Sequence, residues 1–140
     1  PPARLQPRQW ICHRDRFNVP DGQRAVASVL YLFDDPALGG TVFFRPRRPG
    51  FPTDLMVHES GTLAPAEFTA KYGIDAGYMT ASNAWFERTG AIAPRFNRMI
   101  VYDGSLFHCS EIVDPARLDA DPRRGRLTMN GFLTTRRAAT

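Results

Sequence analysis

The chain has 140 residues, 43% of them apolar, which suits one soluble globular domain over residues 1–140 with a single buried core. Lysine plus arginine outnumber aspartate plus glutamate by 18 to 14, for a net charge of +4, and every cation but Lys71 is an arginine. The arginines gather in short, separated clusters at residues 45 to 49, 122 to 126 and 134 to 140, which argues for a solvated surface over a nucleic-acid face and leaves an anionic small molecule compatible with the charge.

The opening "PPARLQPRQW" lacks the apolar segment of a signal peptide, and no later run approaches the roughly 18 apolar residues of a membrane span, so no membrane partner and a cytoplasmic location are expected. "ICHRDRFN" follows, at residues 11 to 18. Its H-R-D letters resemble a kinase catalytic loop, but Asn18 comes too soon after Asp15, and neither a glycine-rich loop nor a D-F-G accompanies them. In an extended segment, residues i and i+2 point to the same side. His13 and Asp15 can therefore converge on one point while Arg14 faces away, which makes half of a metal site. Two cysteines, Cys12 and Cys109, make no disulfide framework. Each adjoins a histidine, and strand parity turns both to the opposite face, where they are expected to lie close together.

Residues 24 to 33, "RAVASVLYLF", read as a central strand and residues 41 to 45, "TVFFR", as a second, the two being antiparallel neighbours joined by a turn-rich loop. A long excursion from Pro46 to Asn97 carries two predicted short helices. One covers residues 64 to 73, with Pro65 in its first turn and Gly73 as its stop; the other covers residues 82 to 90, with Ser82 as N-cap and Gly90 after its end. In "NRMIVYDGSLFHCSEI" two apolar runs flank Asp103-Gly104, which predicts a β-hairpin. "RLTMNGFLTT" is a last strand with Arg126, Thr128 and Asn130 on one face and Leu127 and Met129 on the other. The fold class is thus mainly β, a sandwich or barrel with two short helical inserts.

A third ligand must come from His58 or His108. His58 lies in the loose excursion, whereas His108 sits on an apolar strand that would hold it rigidly, and His108 is chosen. With His13 and Asp15 it makes the two-histidine, one-carboxylate set that leaves open positions on non-haem iron(II). Arg126, eighteen residues further on, offers a planar fork for a carboxylate, with the Thr128 hydroxyl beside it.

The order "HRD", "ASVLYLFDDPALGGTVFF", "NRMIVYDGSLFHCSEI", "GRLTMNGF" resembles the iron(II)/2-oxoglutarate-dependent dioxygenases, and within them a bacterial subgroup. The resemblance implies a double-stranded β-helix, or jelly roll. It implies His13, Asp15 and His108 as iron ligands, Arg126 with Thr128 as the co-substrate clamp, and Tyr31 as a further co-substrate contact. Iron(II), 2-oxoglutarate and molecular oxygen would act on an amino acid, a peptide or a small natural product. The family carries a strand and supporting helices ahead of its His-x-Asp, so the chain is expected to be a C-terminal fragment that lacks this first layer. From the residues alone, a zinc hydrolase using the same three ligands and a non-catalytic jelly-roll binding module remain open.

Overall fold

A computed structural model describes residues 5–15 and 19–136, and within them the protein is mainly β, with two antiparallel three-stranded sheets and two α-helices. Strands β1 (Gln23–Tyr31), β4 (Arg98–Asp103) and β6 (Thr128–Arg136) form one sheet in the order β4-β1-β6. Strands β2 (Thr41–Pro46), β3 (Phe86–Ile92) and β5 (Phe107–Ser110) form the other in the order β3-β2-β5.

The first two strands fall where the sequence predicts them, but they are not neighbours. β1 pairs with β4 and β6, so that Tyr31 lies opposite both Arg98 and Thr128, while β2 pairs with β3 and β5. The linker explains the separation. Asp35 caps a single 3-10 turn (Pro36–Leu38) by accepting from the Ala37 N–H, and Gly39, at φ 76°, carries the chain across to the second sheet. Side chains have no room here: a Cβ would lie 1.7 Å from the Glu111 carbonyl oxygen at Gly39 and 1.8 Å from that of Ile92 at Gly40.

The predicted hairpin at Asp103-Gly104 is likewise a crossover. The chain does turn there, with the Asp103 carboxylate accepting from the Ser105 N–H at 2.8 Å. β4 then stays with β1, however, and β5 joins β2. Gly104 donates to the Ala25 carbonyl and accepts from the Asp15 N–H, both at 2.9 Å, which pins the N-terminal segment onto the crossing point.

The two sheets pack face to face. Tyr31, Phe33, Leu38 and Ile100 form the core between them, flanked by Val29, Phe43, Ile92 and Tyr102. Phe43 and Tyr102 meet edge to face at 5.2 Å across this layer, and the buried Tyr31 hydroxyl is 2.6 Å from Thr41 Oγ1. The outer face of β4-β1-β6 leaves Met99, Val101, Met129 and Leu133 more than half exposed.

A larger core fills the far side of β3-β2-β5. There Cys12, Val42, Phe44, Phe86 and Phe107 pack with Met56 of α1 (Phe51–Glu59) and with Phe68 and Tyr72 of α2 (Pro65–Tyr72). α2 matches its prediction, with Pro65 in the first turn and Gly73 closing it in the left-handed conformation. No helix forms over residues 82 to 90. Asn83 Oδ1 accepts from the Trp85 and Phe86 N–H groups, both at 2.8 Å, and holds the chain in a turn, after which pairing with β2 draws residues 86 to 92 into β3. Ser82 caps nothing helical; its hydroxyl accepts from the Arg88 N–H. Gly90 lies opposite Phe43, next to a bulge that leaves Thr89 as the extra residue. The second helix is instead α1, upstream, which buries only Thr53 and Met56 of its own residues.

Three arginines of the basic clusters are paired at the surface: Arg45 with Glu87 at 2.8 Å, Arg123 with Asp121 and Arg124 with Asp119, both at 3.0 Å. The end of the third cluster lies outside the described residues. Among the described residues no helix is long and apolar enough to cross a membrane.

Candidate metal centre

His13 lies on a short extended segment bridged to β5. Its N–H donates to the His108 carbonyl and its carbonyl accepts from the His108 N–H, both at 2.9 Å. Two residues on, the Asp15 N–H is held by Gly104. Between them Arg14 faces the other way, pairing with Asp54 at 2.6 Å and covering the Phe107 ring at 4.5 Å. The i, i+2 convergence read from the sequence is therefore present. His108 enters from β5, its ring centroid 4.5 Å from that of His13.

The three side chains present one ligand atom each, all within 4.8 Å of one another. Asp15 is central: Oδ1 is 3.7 Å from His13 Nε2 and Oδ2 is 3.3 Å from His108 Nε2. His108 Nδ1 lies 2.9 Å from the Leu106 carbonyl oxygen, which can only accept, so the Nδ1 proton is fixed there. In the neutral ring, Nε2 then turns a lone pair toward a carboxylate oxygen. Two acceptors facing each other repel, and a cation or a proton between them reverses the sign. Burial, and then the neighbouring His108, hold the His13 pKa below its ordinary value, while Asp15 acts in the opposite sense. Neutral imidazole is the metal-binding form.

The triad opens into a pocket of about 110 Å³ lined from both sheets: by Tyr102, Thr128 and Asn130 on one side, by Thr41 and Ser110 on the other, and by Arg126. Arg126 immediately precedes the last strand. Its Nε donates to the Gly39 carbonyl at 3.1 Å and its Nη2 to that of Gly40 at 2.9 Å, and its guanidinium lies 5.7 Å from the Phe33 ring centroid. Burial presses its pKa below the ordinary arginine value, and none of the arginine–carboxylate pairs among the described residues includes it. A half-buried cation beside carbonyl dipoles and a ring face, without a carboxylate, has the charge and the donors to receive an anion.

His13, Asp15, His108, Arg126, Thr128 and Asn130 thus share one pocket. Tyr31 does not line it. It is fully buried, and its hydroxyl engages Thr41, which does line the pocket. His58 is exposed on α1 and apart from the triad. Tyr102 escaped the sequence reading. Its ring meets His108 at 4.7 Å, nearly perpendicular, and burial, reinforced by Asp15, raises its phenol well above the usual value. The signal was present: alternation in "MIVY" sets Ile100 and Tyr102 on one face and Met99 and Val101 on the other. The His13 side chain is 55% exposed, against 12% for Asp15 and 7% for His108, so the triad is open on the His13 side. There it adjoins a second hollow of about 260 Å³ bordered by Ile11, Tyr78, Met79 and Ile112, with Arg8.

The chain matches, over residues 1–133, the model of a family of unknown function (DUF6445), and it belongs to that family. Comparisons with curated proteins and with solved structures give no match.

Proposed function

We propose that this DUF6445 chain is an iron(II)- and 2-oxoglutarate-dependent oxygenase on a double-stranded β-helix, acting on an amino acid, a peptide or a small natural product. One observation carries the reading: a compact His13-Asp15-His108 set and the uncompensated guanidinium of Arg126 line the same small pocket between two antiparallel sheets. Two imidazoles and a carboxylate suit iron(II) and leave positions open to a chelating keto acid and to oxygen. Iron and co-substrate together supply the oxidation, in which substrate, 2-oxoglutarate and oxygen give hydroxylated product, succinate and carbon dioxide.

The protein's own part is binding and orientation. His13 and Asp15 from one extended segment and His108 from β5 would hold the metal, with Leu106 fixing the His108 tautomer. Arg126 keeps N–H groups beyond the two that meet Gly39 and Gly40, enough to receive a distal carboxylate, and Thr128 adds a hydroxyl. Tyr102 and Phe43 wall the buried side of His108 and exclude water there. The exposed side of His13 is the way in for substrate.

Anaerobic titration with iron(II) and 2-oxoglutarate is the test. A visible charge-transfer band that needs both additions, and that weakens in a folded Arg126→Ala variant, is the expected result. Folded protein without a band would reduce the chain to a binding module. Turnover with zinc and no 2-oxoglutarate would make it a hydrolase.

A further inference from the structure

We infer that Cys12 and Cys109 form a cross-strand thiol pair that hydrogen peroxide oxidises to a disulfide, a modification site that does not depend on the metal reading. Register is the argument. His13 and His108 exchange both of their backbone hydrogen bonds, so they form a hydrogen-bonded antiparallel bridge. Extending that register by one step would set Cys12 opposite Cys109 as a non-hydrogen-bonded pair. Such pairs bring Cα atoms to about 4.5 Å with both side chains on one face. A disulfide spans Cα separations of about 4.4–6.8 Å.

Alternation turns the thiols away from the histidine side, and they share the apolar core behind β3-β2-β5, Cys12 as a buried member and Cys109 packed against it. Both are free thiols. Cys12 is fully buried, whereas Cys109 is half-buried, with its thiol donating to the Met79 carbonyl at 3.2 Å, and it borders the hollow beside His13. A small oxidant therefore meets Cys109 first. Attack of the Cys109 sulfur on peroxide forms an S–O bond, breaks the O–O bond and releases one water, leaving a sulfenic acid. The Cys12 sulfur then attacks the Cys109 sulfur, forming the S–S bond and expelling the hydroxyl as a second water. Two thiols and one peroxide become one disulfide and two waters, the sulfurs losing the two electrons that the peroxide gains. The bond would tie the segment carrying His13 and Asp15 to the strand carrying His108.

The experiment treats the purified chain with hydrogen peroxide, in the presence of a chelator so that no bound iron diverts the oxidant. Intact mass should fall by two hydrogens, both alkylatable thiols should vanish, and a non-reducing digest should yield the Cys12 peptide joined to the Cys109 peptide. Dithiothreitol should restore all three readings. Cys12→Ser should instead accumulate oxygen on Cys109. A wild-type chain that keeps both thiols, or that gains oxygen without the joined peptide, overturns the proposal. Because the wild-type digest is decisive alone, a variant that folds poorly does not weaken the test.

Discussion

Asp15 faces both histidines, and its removal discriminates among the readings of the site. Asp15→Ala leaves two imidazoles, and outer partners of a ligand already cost about 10–100-fold in metal affinity when lost. Loss of the carboxylate ligand itself should cost at least about 100-fold, read by anaerobic competition of iron(II) against a chromophoric chelator, with the far-ultraviolet spectrum unchanged. Equal affinity in the two proteins would make the triad an ordinary polar cluster. Tyr31 makes the opposite case. Tyr31→Phe deletes a buried hydroxyl and leaves Thr41 without its 2.6 Å partner, a change worth about 1–3 kcal/mol of stability in urea denaturation. Since Tyr31 does not itself line the pocket, 2-oxoglutarate affinity should hold within about twofold; a loss of about tenfold, or 1.4 kcal/mol, would return it to the co-substrate. His13 and Asp15 were legible from spacing and strand parity, and His108 from its place on an apolar strand. For Tyr31, parity gives the inward face of a strand but not the depth along it at which core ends and pocket begins.

Among elements, the crossovers decide the architecture. Gly39-Gly40 and Gly104 were visible as turn residues, and β1, β2, β6 and α2 were visible from composition and punctuation. Turn chemistry says where a chain reverses and not which sheet receives it, so both expected strand pairings failed at these glycines. β3 was misread because its assignment rests on pairing with β2, which lies about 40 residues away in sequence and leaves no local trace. The apolar residues of α1 keep no helical period: it buries only Thr53 and Met56, and it meets α2 at the surface through Glu59 and Lys71 at 2.6 Å. The crossover also holds Arg126, since both carbonyls on its guanidinium belong to Gly39 and Gly40. Gly40→Ala should therefore act twice. A Cβ 1.8 Å from the Ile92 carbonyl oxygen must displace backbone, at a cost of about 3 kcal/mol in urea denaturation, and the shifted carbonyl should weaken 2-oxoglutarate binding with iron affinity kept. Unchanged stability would mean that the crossover yields freely.

At the scale of the whole molecule the pocket is a seam. His108, Thr41 and Ser110 come from the β3-β2-β5 sheet, Tyr102, Thr128 and Asn130 from β4-β1-β6, and Arg126 precedes β6 while gripping the linker that joins the sheets. A ligand that spans the seam joins both sheets and binds only the folded chain, so it must raise stability by mass action, by about 2.7 kcal/mol at one hundred times its Kd. For a domain of this size each kcal/mol moves Tm by roughly 2–8 °C. Iron(II) under anaerobic conditions should therefore raise Tm, a chelator should reverse the shift, and 2-oxoglutarate should add a second increment only when the metal is present. The partition by variant follows from the seam. On the proposed function, Asp15→Ala should lose both increments, because the co-substrate would be chelated through a metal that no longer binds, whereas Arg126→Ala should keep the metal increment and lose most of the second. An increment from 2-oxoglutarate without iron, of equal size in Asp15→Ala and wild type, would mean that Arg126 binds the anion by itself and that the two halves of the pocket do not act as one site.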